Sequence, residues 1–354
     1  MERGDLRAQY GGDAWLVEVA ANMQRLATTL DAGKAAVQAA GWLSEFLGRR
    51  GFAVERGLAG LETAFRATLE TGPGPTIAIG TILVALGLHD EAETLWKQGL
   101  EQYPDRSLLF YANLADRRLE ARDFSSTTES YLQAIDTEME RRSQRTVGPA
   151  RLALQRDQLL RRARWELGHG DATQAVTMLQ EALSRQAQLG GDTAQSAKAW
   201  LLLGAAYNAM GEHLKAGQAY DRAAALRPYA AEIHLAAADA WLNANRPAFA
   251  VERAERGVRI ADHSNAWFTL ANALLREQLR VPAKNRSWTR FQQVIAKSVE
   301  KIDDGSLAQP YRAAMIQAQA TAAPGDEESR EKAAEILRAA EDKYATEPGF
   351  WSAA

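Results

Sequence analysis

Apolar residues recur at three- and four-residue spacing along most of the chain, a period typical of amphipathic α-helices. One run is Ala175, Met178, Leu179 and Ala182, and a second covers 233–241. Alternating β-branched runs of strand length are missing from the sequence. The pattern therefore predicts an all-α protein.

Glycine and proline separate the helical segments. They cluster at 72–75, 168–171 and 190–192, and further prolines stand at Pro104 and Pro228. Because such residues end helices and form turns, the chain is expected to be a train of short helices joined by tight turns.

One segment of this train carries a repeat motif. Residues 200–207 read Trp-Leu-Leu-Leu-Gly-Ala-Ala-Tyr and fit the pattern W-x2-L-G-x2-Y. The chain here resembles the tetratricopeptide repeat family, whose 34-residue unit is a pair of antiparallel helices. A second unit follows with His234 and Ala238, and a weaker third one with Phe268. The resemblance implies a right-handed α-solenoid of stacked antiparallel helix pairs, the superhelix of this family.

The repeat spacing divides the chain into three regions. Residues 1–72 are expected to form an N-terminal helical region that can include a degenerate repeat, and 73–296 to hold six tetratricopeptide-like repeats. Residues 297–354 are expected to add repeat-like helices and to end inside a further repeat, at Phe350 and Trp351. Either the chain is a fragment of a longer array, or these two aromatic residues fold back as a cap.

Small and large residues alternate between the helices of a pair. Gly80 and Gly204 fall at the midpoint of first helices, and Trp96 and Tyr220 fall on second helices. We expect the small residues to let the helix axes approach closely and the rings to fill the remaining space.

Composition narrows the function classes. The 354 residues carry 42 basic and 45 acidic side chains, so the formal charge of −3 gives no general attraction to nucleic acid. The absence of cysteine removes disulfides, thiolate metal sites and cysteine nucleophiles. The longest apolar stretch, 76–88, has 13 residues, fewer than the about 20 that a membrane helix needs. A signal-peptide-like N-terminus is missing, which favours the cytoplasm; the periplasm stays open if the chain is a trimmed fragment.

The sequence contains no recognisable catalytic motif. The five histidines are scattered, and no HExxH or G-x-S-x-G motif is present. The pair Gly33–Lys34 lacks the other residues of a phosphate-binding loop. His234 falls in a helix-packing position and is interpreted as a core residue. We predict no catalytic residue, no cofactor and no metal.

The resemblance implies a binding groove instead. In the family, first helices line the concave face of the superhelix and receive peptides or partner helices. The matching positions here are Ile77, Thr81, Val84, Ala112, Asp116, Leu160, Arg161, Arg164, Leu201, Ala205, Asn208, Leu235, Asp239, Asn243, Thr269 and Arg276. Chaperone-binding members hold a partner's terminal carboxylate with lysine and asparagine, where this chain has Leu201, Ala205 and Leu235. Chaperone-tail binding is therefore not predicted.

Arginines concentrate between Arg141 and Arg164, where the only acid is Asp157. Two interpretations stand: a site for an acidic partner around Arg161 and Arg164, or a solvated helix face with a charged loop.

The sequence as a whole predicts a non-enzymatic scaffold that binds a peptide or protein in the groove. Two alternatives remain: a peptide-sensing regulatory module, or the repeat portion of a larger enzyme or envelope-assembly protein. Self-association through an exposed terminal face is a further option.

Overall fold

A computed structural model describes residues 72–85, 89–143, 148–190, 194–301 and 308–344. Across these ranges the regular structure is helical, without a β-strand, so the all-α prediction is confirmed. The expected N-terminal region up to residue 71 and the expected terminal half-repeat at 345–354 lie outside the described residues. The chain divides after Val147 into two compact units.

The described residues of the first unit, from 72 to 143, form two helix pairs. They are α1 (Pro73–Ala85), α2 (His89–Gln102), α3 (Ser107–Glu120) and α4 (Ser126–Ser143). Each helix packs on the next one along the chain, and the two first helices, α1 and α3, also touch. The core between them is closed by Leu83, Leu95, Phe110, Leu114, Leu132 and Ile135, all fully buried.

An ion-pair cluster joins the two pairs of this unit. Arg118 of α3 donates to Glu93 of α2 at 2.5 Å and to Asp123 at 2.7 Å. Lys97 reaches the same Glu93 oxygen at 2.9 Å. Burial raises the pKa of the Glu93 carboxyl, but the hydrogen bonds from Arg118 and Lys97 outweigh it, so the net pKa lies below 4.5.

The second unit continues the same arrangement. Its helices are α5 (Pro149–His169), α6 (Ala172–Leu189), α7 (Ala194–Ala209), α8 (His213–Leu226), α9 (Ala231–Asn243), α10 (Pro247–Ile260), α11 (Ser264–Arg280), α12 (Thr289–Glu300), α13 (Ala308–Ala322) and α14 (Glu327–Tyr344). Helices adjacent in the chain pack together throughout. First helices also contact one another, at α5–α7, α9–α11 and α11–α13, whereas the described second helices make no comparable contacts. The side carrying the first helices is therefore the more closely packed one.

Glycines set the distance within pairs. A Cβ placed on Gly204 of α7 would lie 2.7 Å from the ring of Tyr220 on α8, and one placed on Gly80 of α1 would strike the indole of Trp96 on α2. The predicted contact of a small first-helix residue with a large second-helix ring is confirmed at both positions.

The connection between α11 and α12 is longer than the other turns of the second unit and is held by one guanidinium. Arg286 donates to the carbonyls of Gln278 (3.1 Å) and Val281 (3.0 Å) at the end of α11. It also donates to the carbonyl of Ala323, 2.7 Å away, just past the end of α13. Carbonyls at helix ends lack partners within their own helix, so this side chain satisfies two helix termini and ties neighbouring pairs together.

Candidate functional site

Exposed polar side chains lie on three consecutive first helices of the second unit. Asp239 and Asn243 belong to α9, Arg276 to α11 and Arg312 to α13, and all four are exposed. We call these four residues the first-helix face. Because α9 contacts α11 and α11 contacts α13, the face runs across closely packed helices.

Asp239 on this face is exposed to solvent but partly dehydrated. Its side chain is exposed, yet loss of hydration raises the pKa of its carboxyl, while the positive charge of Arg312 acts in the opposite direction. An exposed group loses hydration when protein atoms surround it on several sides. Asp239 thus keeps contact with solvent while it lies close to protein atoms and within electrostatic range of a cation two first helices away.

Tyr220 lies within electrostatic range of Asp239. Its ring is 8% exposed and packs over Gly204. Burial, together with the negative charge of Asp239, raises the pKa of its hydroxyl to about 12. The hydroxyl therefore remains protonated at neutral pH, and Asp239 is the nearby negative charge.

The described part of the chain lacks the features of a metal site and of a membrane span. Within the described ranges, no three His, Asp or Glu side chains are placed to hold a metal ion. None of the helices described is both long and apolar enough to cross a bilayer. His234 is 2% exposed, and its Nε2 lies 3.0 Å from the carbonyl oxygen of Pro228, which confirms the core interpretation.

Among solved structures, two helical-repeat proteins match at low sequence identity. The STAND protein with a tetratricopeptide repeat sensor from Pyrococcus horikoshii is 15% identical and aligns over 99% of this chain and 54% of that one, with a TM-score of 0.62. The chain has the tetratricopeptide-repeat fold. The APC/C hetero-tetramer Cut9–Hcn1 is 17% identical over 74% of this chain and 48% of that one, with a TM-score of 0.52. The chain thus spans about half the length of each protein. No protein-family model and no curated protein matches the sequence.

The predicted groove residues of the second unit differ in how much of their surface is exposed. Leu201 is half-buried and packs on the cluster around Ala223. Asn208 is exposed at the end of α7, where its Oδ1 lies 2.9 Å from Nδ1 of His213. Ala205 is half-buried. Leu160 and Thr269 are 4% and 8% exposed, so neither offers much surface to a partner.

Leu235, another predicted groove residue, is almost fully buried. Its position 34 residues after Leu201 places it in the predicted groove, but its side chain is only 7% exposed. A Cβ on Gly257 of α10 would lie 2.6 Å from a Leu235 methyl group. Because Gly257 has no side chain, Leu235 packs onto α10 inside its own repeat. It therefore presents little surface to a ligand.

The predicted residues of the first unit lie on α1 and α3. Ile77 and Val84 are half-buried, and Thr81 is exposed with its hydroxyl donating to the carbonyl of Ile77 at 3.0 Å. Ala112 and Asp116 of α3 are half-buried. Thr81 is therefore the most accessible of these predicted positions.

The arginine-rich segment forms internal contacts. Arg141 and Arg142 donate to Glu138 on α4 at 2.9 and 2.5 Å. Arg161 and Arg164 on α5 are half-buried, and each interacts with other groups of the protein. These contacts engage the arginines within the protein, and the acidic-partner site stays a prediction.

Arg312 is a residue that the sequence does not single out. Its helix, α13, is predicted, but only the packing of α13 on α11 places this cation near Asp239.

Proposed function

We propose that the second unit binds an extended segment of a protein partner along the first-helix face. The tetratricopeptide-repeat fold is a protein-interaction scaffold, and the Cut9–Hcn1 structure is itself an assembly of proteins. The observation that carries the proposal is Asp239, a solvent-exposed carboxylate within electrostatic range of Arg312, on a face that also exposes Arg276. An exposed surface that carries both charge signs is suited to a polar peptide.

The four side chains supply complementary chemistry. Asn243 offers an amide that can both donate to and accept from a peptide backbone, and Arg276 offers a guanidinium that can pair with a carboxylate. Asp239 can accept from a partner's lysine or arginine. Affinity would come from a few such anchors rather than from the total contact area.

The test compares two charge reversals on the face with one elsewhere. Arg276→Glu and Asp239→Lys each alter the face, and Arg259→Glu, at an exposed position on α10, alters charge by the same amount as Arg276→Glu. Each variant and the wild-type chain would be used to isolate partners from the native lysate, followed by peptide mapping of the bound segment.

We expect at least one face variant to lose the partner while Arg259→Glu retains it. Loss on Arg276→Glu alone identifies an acidic segment, and loss on Asp239→Lys alone identifies a basic one. A partner retained equally by both face variants would refute the proposal.

A further inference from the structure

A cleft lies on the other side of α7, between the second helices of two neighbouring pairs. Both α6 and α8 pack on α7, and the space between them measures about 870 Å³. It is lined by Gln180 and Leu183 of α6, Trp200, Leu203 and Tyr207 of α7, and Lys215, Gln218, Ala219, Asp221 and Arg222 of α8. This volume falls within the range of about 300–1,000 Å³ usual for ligand pockets.

The cleft has an apolar interior. Leu203 and Ala219 are each 3% exposed and form its floor. Leu183, Trp200 and Tyr207 are half-buried, so each keeps apolar surface available to an occupant. The indole N–H of Trp200 is accessible and has no hydrogen-bond partner among the described residues.

The only carboxylate lining the cleft in the described structure is already satisfied. Asp221 accepts from Nε of Arg253 on α10 at 2.6 Å and from the indole N–H of Trp241 on α9 at 3.2 Å. It therefore has little capacity left for a cationic ligand.

The two cationic side chains that line the cleft differ in whether they are paired. Lys215 is 2.5 Å from Glu212 and lies over the ring of Tyr207, with its Nζ 5.4 Å from the ring centroid. Arg222 is exposed and forms no ion pair or hydrogen bond within the described structure. The cleft thus combines an apolar interior with one unpaired guanidinium at its edge.

The cleft is separate from the predicted groove. Trp200, Leu203 and Tyr207 point to it from α7, whereas the groove positions of the same helix are 201, 205 and 208. At 3.6 residues per turn, the centres of these two sets lie about 130° apart around the helix.

We infer that this cleft is a second docking site, for a short acidic segment of a partner protein in which an apolar side chain lies beside a carboxylate. The apolar side chain would enter between Leu183 and Trp200, and the carboxylate would pair with Arg222. Charge complementarity carries the assignment, because the cleft's own carboxylate is occupied and its exposed guanidinium is not. The inference does not depend on the first-helix face.

The test uses defined peptides. A fluorescein-labelled peptide Ser-Gly-Asp-Phe-Asp-Gly-Ser is titrated by polarisation against the wild-type chain and the variants Arg222→Glu, Arg259→Glu and Arg276→Glu, with Asn-Phe-Asn and Lys-Phe-Lys peptides as probes of charge. Arg259 is an exposed arginine without a partner in the described structure, so its reversal matches the change in net charge. The indole ¹H–¹⁵N signal of Trp200, assigned from Trp200→Phe, reports where the acidic peptide binds.

We expect the acidic peptide to bind the wild-type chain and Arg259→Glu alike, and to shift the Trp200 signal. Binding to Arg222→Glu should be at least about tenfold weaker, since a charge-assisted hydrogen bond is worth about 1.5 kcal/mol or more. The Asn and Lys peptides should bind more weakly than the acidic one.

Equal binding to Arg222→Glu, or binding that leaves the Trp200 signal unmoved, would overturn the inference. Acidic-peptide binding lost only in Arg276→Glu would place the ligand on the first-helix face, which overturns the cleft assignment and leaves the proposed function standing.

Discussion

The packing of Tyr220 on Gly204 makes a sharp prediction about a single methyl group. In Gly204→Ala, the new Cβ would lie 2.7 Å from Cδ1 and Cε1 of the ring and 2.9 Å from Cγ. Ordinary contacts begin at 3.4 Å, so the ring must move by about 0.7 Å. It cannot do so freely, because Tyr220 is 8% exposed and belongs to the core cluster shared by α8 to α13.

Two opposing effects set the change in the free energy of unfolding of Gly204→Ala. Overpacking a well-packed core costs about 1–3 kcal/mol. Replacing a helical glycine by alanine gains about 1 kcal/mol from helix propensity. We expect a net loss of about 1 kcal/mol in the free energy of unfolding, which lowers the Tm by about 2–4 °C in a unit of this size.

The assay is thermal and urea unfolding, followed by circular dichroism, of the wild-type chain, Gly204→Ala, Tyr220→Leu and the double variant. The smaller leucine relieves the clash, so Gly204→Ala should cost less in the Tyr220→Leu background. The reasoning is refuted if Gly204→Ala raises the free energy of unfolding above that of the wild-type chain, or if the two changes at 204 and 220 are additive.

Two further predictions concern polar contacts. Arg286→Ala should lower the free energy of unfolding in urea by about 2–3 kcal/mol, since it leaves helix-end carbonyls without their charged donor. Arg286→Lys cannot span the same carbonyls and should lose most of this stability as well. Wild-type stability in the lysine variant would contradict the stabilising role of the guanidinium. Glu93 has a pKa lowered below 4.5 in the folded state, because the bonds from Arg118 and Lys97 outweigh the effect of burial. The contribution of the Glu93 ion pairs to stability is therefore present above the unfolded-state pKa of the carboxyl and lost as the pH falls through the lower folded-state pKa. The difference in Tm between wild type and Glu93→Gln should narrow on acidification. A constant difference between pH 7 and pH 3 would contradict this prediction.

The parts of the fold that depend on local pattern could be predicted from the sequence. The motif at 200–207 gives both the helix pair and the meeting of Gly204 with Tyr220, because residues at fixed spacing on two antiparallel helices face each other. The same logic identifies His234 as a core residue.

Features that depend on the single residue opposite, or on the neighbouring repeat, could not be predicted in this way. Leu201 and Leu235 hold equivalent positions, but Gly257 stands where the preceding repeat has Ala223, and the missing methyl group lets Leu235 turn inward. The volume between α6 and α8 depends on how two pairs are inclined, which no motif encodes. Arg286 reaches Ala323, 37 residues further along the chain, a distance that repeat periodicity does not cover.

The position of Asp221 has a consequence for communication across the protein. This carboxylate lines the cleft, and it is bonded to Trp241 on α9, the helix that carries Asp239 on the opposite face. This bond links the helix that lines the cleft to the helix that carries Asp239. If occupants of the two surfaces shift these helices relative to each other, reciprocity requires that the peptide on either face alter the affinity of the second by the same factor. Trp241→Phe, which removes the indole donor but keeps the ring packing, leaves Asp221 with the bond from Arg253 on α10 and so tests what the bond to α9 alone transmits.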